Sequence, residues 1–453
     1  ALHIHPATGR WAGPFSRAYR ATVAGDGTPE IHTVKNWLIT GILPRWIAGA
    51  LANRPEKMDL VETADADNTV VLSTHLSPSF ALGTSTQHLT SQANRFIAGQ
   101  SNCFIVQHTT ADSDAGVLYS RYVLNEHWLG DFRPTPARSN TGLLFEEGQF
   151  YGVQQHNRAI CLYAPRALGA WETTHSAKAV IAWHRRQHVS GVWINGEAIH
   201  HFPAPIRPNS TVVVQSGHIL TAVRPLAHTD LGRGAPVQVV ERDGHLCLEI
   251  YNYRGPEKTF WEQAHPGSFY QGQPQCGFYA EVTEAADWPD PRDFARAVAS
   301  GLLVDRADPR VTYDAGVERN WTASYSREGQ TLGLQVELMA WVLKRRWTQK
   351  GDLGTPMLES PIARQSRSGV IKIGAATLAC GPHPAWLFAC PDTNTCAAAY
   401  HGPEAAPLTL TWGDGELHIP SLSSGLIVWR DGKVSLDVLD MVGEPILVNC
   451  ERA

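Results

Sequence analysis

Basic charge is scarce relative to acid in this chain. Lys and Arg number 38 against 43 Asp and Glu, and the formal net charge is −5. A nucleic-acid binder releases counterions with an excess of basic side chains, so no nucleic-acid partner is expected. Long apolar runs are missing as well. None approaches the ~20 residues that a helix needs to cross a bilayer, and no membrane partner is expected. The opening residues, ALHIHPATGR, lack the basic segment and apolar core of a secretory signal. The location is then cytoplasmic, or secreted or periplasmic if a signal peptide has been removed.

Eight cysteines are scattered along the chain without a CxxC pair, which leaves a zinc ribbon unsupported. Cys390 and Cys396 could close a short loop in an oxidising compartment. Cys161 in AICLYA and Cys247 in HLCLEIY sit in apolar runs and read as small buried hydrophobes, so free thiols are expected. Phosphate-binding motifs are absent: no GxxxxGK[ST], and no GxGxxG after a strand. Neither GxSxG nor HExxH occurs. His200-His201 and His383-Pro384 lack partners at metal-ligand spacing. No metal and no cofactor are expected. An internal period, the mark of a propeller or solenoid, is missing too.

Aromatics and histidines are plentiful: 15 Trp, 12 Tyr, 13 Phe and 20 His. Such rings suit sugar stacking as well as β cores. From Cys103 onward, short apolar strands alternate with turn dipeptides. Asn195-Gly196, Asp243-Gly244, Asp414-Gly415 and Asp431-Gly432 predict tight hairpins. The fold class is therefore mainly β, a large antiparallel sandwich of the supersandwich kind. A small helical N-terminal part precedes it, from the helical spacing between Thr33 and Arg54 with a break at Pro44. One later helix is predicted over Asp290–Gly301, opened by an Asp cap. Residues 1–100 read as loop and short helices packed on the body. Residues 101–453 read as one large β domain or two stacked sandwiches divided near 285–310.

Three polar stretches stand out. In 3–20, His, Arg, Trp and Tyr cluster around Gly and Pro, and Trp11, Phe15 and Tyr19 are expected to pack on the body. In 75–102, His75, Gln87, His88, Gln92, Asn94, Arg95, Gln100 and Asn102 crowd together. The third is 151–158, within LLFEEGQFYGVQQHNRAICLYAPR, where two strands meet at five consecutive polar residues, Gln154 to Arg158; the three stretches are expected to converge on one cleft. These residue types suit proton abstraction α to a carboxylate. Arg, Asn or Gln holds the carboxylate and favours enolate character, while His or Tyr moves the proton. The reaction so described is β-elimination on a uronic-acid polymer, with an acidic poly- or oligosaccharide as the partner. Oligomeric state is not legible.

EEGQFYGVQQHNRAICLYAPR, VVVQSGHILTAVRPL and HLCLEIYNYRGPEKTFWE, in that order, resemble the β-sheet portion of the heparinase II/III-like polysaccharide lyases. The resemblance covers Leu143 to Tyr279, about a third of the chain. It implies a polysaccharide lyase in which a sheet histidine works with a Tyr and a His from an α/α toroid. Two or three helical signals stand here where the family has many. His156 is the position carried over. Tyr19 and His88 are the residue-level candidates for the other catalytic groups, and Arg17 for the carboxylate clamp. Gln92, Asn102, Tyr151, Gln155 and Arg158 complete the expected substrate contacts. Two alternatives stay open. One is a glycoside hydrolase, which needs two carboxylates, drawn from Glu146, Glu147, Asp230, Glu241 and Glu249. The other is a non-catalytic glycan-binding protein.

Overall fold

A computed structural model describes residues 3–4, 11–12, 55–65, 70–86, 104–111, 115–126, 148–165, 173–226, 236–259, 276–308, 318–338, 341–367, 369–438 and 440–453. The described chain is mainly antiparallel β, as predicted. Two compact units divide it: of the described residues, Ser73–Gly354 lie in the first with His3–Ile4 and Trp11–Ala12, and those from Pro55 to Leu72 join Thr355–Ala453 in the second. The 285–310 region lies inside the first unit. The helical expectation over Thr33–Arg54 falls outside the described residues; of the N-terminal part, the strands His3–Ile4 and Trp11–Ala12 are described and pair with each other.

In the first unit, three sheets carry two large cores and a smaller cluster of Tyr119, Val123, Val180, Ala182 and Cys247. The first sheet runs Phe80–Thr86, Phe104–Thr109, Ala115–Leu124, Thr173–His184, His245–Thr259 and Val237–Arg242, each antiparallel to the next. A middle sheet of seven strands includes Gly148–Gln155, Arg158–Pro165, Cys276–Glu284, Ile219–Pro225 and Val212–Ser216. A third sheet starts with Leu302–Ala307, Asn320–Arg327, Gln330–Glu337 and Val342–Thr348.

The sequence texture of each strand follows its layer. RAICLYA and CGFYAEVT are nearly continuous in apolar side chains because the middle sheet is buried on both faces. One face supplies Phe150, Cys161, Tyr163 and Phe278 to a core shared with Phe104, Leu118, Ile181 and Leu248. The other supplies Tyr151, Ile160, Leu162 and Tyr279 to a core shared with Trp321, Tyr325 and Leu334. Each large apolar side chain so buried contributes roughly 1.5–3 kcal/mol. By contrast NWTASYSR alternates, and its burial alternates with it, because the third sheet has one open face.

The predicted helix spans Pro291–Ser300. Asp290 caps it by accepting the Arg292 amide at 2.9 Å, and Pro291 fills the first position, where no N–H is needed. Phe294, Ala295 and Val298 share the buried face. Its last carbonyls are taken by Tyr325 Oη, on Val298, and by the Arg224 guanidinium, on Gly301, both at 2.8 Å.

The second unit is a sandwich built on two long bent strands, Thr395–Trp412 and Gly415–Arg430. One half of this pair continues into Ala385–Cys390 and Lys433–Val438. The other continues into Ala376–Ala379 and Ile446–Val448. Leu378, Leu387, Leu410, Ile419 and Trp429 fill the space between.

Asn195-Gly196, Asp243-Gly244 and Asp431-Gly432 form the expected turns, with positive φ at both residues. The fourth is displaced by one residue. Trp412 pairs with Gly415, so the loop is Gly413-Asp414, and Gly413 takes the positive φ of 63°. All seven described cysteines are free thiols.

Candidate functional site

At the predicted hairpin, Gln155 pairs with Arg158, leaving a two-residue loop of His156 and Asn157. His156 has φ 53°, an uncommon value for a residue with a side chain. Its neighbours have internal duties. Gln154 donates to the Leu82 carbonyl at 3.2 Å, and its side-chain oxygen accepts from Thr84 at 3.0 Å. Asn157 donates to the Val282 carbonyl at 2.6 Å. Arg158 bonds Gln330 at 2.9 Å and lies 3.4 Å from the Glu281 carboxylate. Tyr151, 5% exposed, is a core residue whose hydroxyl donates to the Trp341 carbonyl. Gln155 is half-buried and His156 exposed. The polar run is therefore largely a set of clamps.

His75, from the 75–102 stretch, lies edge-on to His156 with ring centroids 6.4 Å apart. Arg17, Tyr19, His88, Gln92 and Asn102 lie outside the described residues, as do Glu146, Glu147 and Asp230.

A second constellation sits on the face of the first sheet turned away from its core. Lys178 stands alone among the apolar residues of AKAVIAWH, and Glu249 alone among those of HLCLEIYNY. A buried charge survives folding only with a partner. Here the partners are each other. Lys178 Nζ donates to Glu249 at 2.7 Å, to Glu126 at 2.5 Å and to the Tyr251 hydroxyl at 2.9 Å. Arg242 adds a second cation, 2.6 Å from Glu249, and Gln238 donates to the same carboxylate at 2.8 Å. Tyr251 donates to Glu126 at 2.9 Å.

The electrostatics follow from this wiring. Burial alone would raise the Glu126 carboxyl, but the Lys178 charge and hydrogen bonds bring it down to about 2. Glu249 also titrates low, because the bonds from Arg242 and the Lys178 charge outweigh its burial. Tyr251 moves upward through burial and the charges of Glu249 and Glu126, which keeps its hydroxyl protonated. Two cations and two carboxylates balance within the network.

Beside it lies a cavity of about 450 Å³ lined by Glu126, His175, Ser176, Arg242, Tyr251, Arg254 and Gly255. Its size suits a small ligand or a sugar unit. Arg254 is exposed, with its guanidinium 5.4 Å from the Tyr251 ring centroid, and it makes no ion pair with another described residue. Among the described residues, the lining thus carries one positive charge beyond the balanced network. Within this constellation, only Glu249 was legible as a candidate, through the hydrolase alternative. Glu241, another of that set, is exposed and pairs with Arg186.

Compared with protein-family models, curated proteins and solved structures, the chain finds no match.

Proposed function

We propose that the cavity beside Tyr251 binds a uronic-acid unit of an acidic glycan and cleaves the chain by β-elimination. The observation that carries this reading is Arg254, a guanidinium without a carboxylate partner among the described residues, lining the same cavity as a protonated tyrosine and a histidine. The reading keeps the reaction class suggested by the lyase-like strands and moves the chemistry to another face.

Arg254 pairs with the substrate carboxylate and favours enolate character at the adjacent carbon. His175 takes the proton from that carbon. The C–H electrons form the new double bond, the C–O bond to the departing sugar breaks, and Tyr251 gives its proton to the leaving oxygen. At rest that proton lies toward Glu126 at 2.9 Å; it turns to the leaving oxygen as the C–O bond breaks, while the Lys178 ammonium, donating to the phenol oxygen at 2.9 Å, stabilises the phenolate left behind. Hydrolysis fits less well. A glycosidase needs one carboxylic acid in its protonated form, and both Glu126 and Glu249 are held ionised.

The test is digestion of a panel of uronate-containing polysaccharides, followed by ultraviolet absorbance of the conjugated product. His175→Ala should lose roughly 10²–10⁴-fold in turnover, the scale of a general acid or base. Tyr251→Phe, which removes one hydroxyl, should lose a comparable factor. Products lacking the double bond, or full activity in both variants, would overturn the proposal.

A further inference from the structure

The open face of the third sheet carries an aromatic platform. Gly333 and Trp347 are directly paired across neighbouring strands. A Cβ on Gly333 would lie 2.0 Å from Trp347 Cε2, so the indole lies flat on the backbone of the neighbouring strand. Without a side chain at 333 the ring has a floor and no wall, and Trp347 is only half-buried. Its position is fixed from the side. The Arg345 guanidinium is 4.8 Å from the indole centroid, and Asp352, opposite Trp347 on the next strand, holds Arg345 at 3.0 and 2.6 Å.

The rest of this face is mostly polar, with Val304 and the exposed Leu302 on its edge strand. Continuing across the strands, Gly333 pairs with Ser324, and Ser324 with Val304. In the adjoining row lie Arg345, Gln335, Thr322 and Arg306 in successive pairs. Gln335 donates to Thr322 at 3.2 Å. Thr322, Ser324 and Gln335 are half-buried, and Arg306 is exposed. Neighbouring strands stand about 4.8 Å apart, so a flat molecule crossing them meets the indole first and then hydroxyl and amide groups.

We infer that this face is a second glycan-binding surface, separate from the cavity, and that it holds a segment of an acidic polysaccharide. Trp347 stacks on a sugar ring, and Thr322, Ser324 and Gln335 meet its hydroxyls. Charge selects the class. Asp352 is taken by Arg345, and Arg306 makes no ion pair with another described residue. A uronate chain supplies the missing negative charge. The choice of an acidic over a neutral chain also rests on the uronate reading of the cavity. The platform delivers no chemistry. It holds the polymer on the protein as a second attachment point.

The experiment is affinity electrophoresis of the full chain in gels containing polygalacturonate, alginate or a neutral β-glucan. Trp347→Ala should weaken retardation by the acidic polymers about ten-fold, the effect of removing a central aromatic anchor. Trp347→Phe should keep most of it, which separates loss of the ring from loss of the fold. Arg306→Gln should weaken acidic polymers and leave the glucan unchanged. Unchanged retardation in Trp347→Ala overturns the inference, and so does retardation by the glucan alone. The two sites fail separately. Retardation that depends on Trp347 in a protein that eliminates nothing would keep the platform and remove the lyase reading. Elimination by a protein whose retardation ignores Trp347 would do the reverse.

Discussion

The ammonium of Lys178 lies 2.7 Å from the carboxylate of Glu249, and neither side chain reaches solvent. Two strands of one sheet place them there, with Lys178 opposite Tyr251 and Val180 opposite Glu249. Desolvating both charges is costly, and their attraction repays it only when the remaining hydrogen-bonding capacity is also filled. That condition is met by Glu126 and Tyr251 on the ammonium, and by Arg242 and Gln238 on the carboxylate.

Removing one partner should therefore cost more than removing both. Lys178→Met leaves Glu249 buried beside a single cation, and the loss should be about 3–5 kcal/mol. Lys178→Met combined with Glu249→Leu should recover a large part of it. Urea denaturation of the single and double variants measures this. A double variant less stable than Lys178→Met, by the full loss that Glu249→Leu causes alone, would show that the pair is not coupled.

His108 gives the fold a weak side toward acid. Burial, with the nearby His188 and His218, lowers its pKa to about 4, against a backbone bond to Thr109 that acts the other way. A neutral ring with its proton on Nδ1 satisfies both neighbours, donating to the Thr109 carbonyl at 3.1 Å and accepting from Ser216 at 3.2 Å. The unfolded chain takes up this proton near pH 6.5, the folded chain only near 4. The stabilisation is thus complete above pH 6.5 and is lost as pH falls toward 4. Its total is roughly 3 kcal/mol, at about 1.36 kcal/mol for each pH unit between the two values. Thermal melts from about pH 7.5 to about pH 4 should fall along this window, and His108→Gln should flatten the curve. An unaltered slope in His108→Gln would assign the acid sensitivity elsewhere.

Strand texture made much of this fold readable from the sequence. AICLYA is apolar throughout because both faces of its sheet are covered, and NWTASYSR alternates because one is not. Asp290 and Pro291 announced the helix in the same local way. The functional residues were harder to find, because polarity alone does not tell a clamp from a contact. Gln154, Asn157 and Arg158 looked like a ligand surface in sequence, yet their partners Leu82, Val282 and Glu281 lie on other strands. Lys178 and Glu249 carried the more informative signal, single charges inside apolar strands. Register, which long-range pairing sets, was needed to bring them together. The Asp414-Gly415 turn missed by one residue because two glycines flank the aspartate, and only one lies where φ must be positive.

Glu281 joins the middle and third sheets. Its carboxylate accepts from Tyr279 at 2.6 Å and from Arg327 at 2.7 Å, with Arg158 3.4 Å away. Glu281→Ala would leave Arg327, 8% exposed in its side chain, with only the exposed Glu328 carboxylate 3.9 Å away. A loss of about 3 kcal/mol is expected, read from the urea midpoint. A change below about 1 kcal/mol, the scale of an exposed pair, would mean that water replaces the carboxylate freely.

Gly333 should be as sensitive as the tryptophan above it. Its backbone is paired on both sides, with Ser324 and with Trp347, so the strand cannot step back from a new methyl group. The side chain that must yield is the indole of Trp347, whose atoms stand 2.0, 2.1 and 2.6 Å from where that methyl would sit. Gly333→Ala should lift the ring off the sheet and part it from Arg345. Overpacking of this kind costs about 1–3 kcal/mol. Two measurements check it. The melting temperature should fall, and the indole N–H resonance of Trp347, assigned by its absence in Trp347→Phe, should shift. An indole resonance unmoved in Gly333→Ala would mean that the ring does not rest on this glycine.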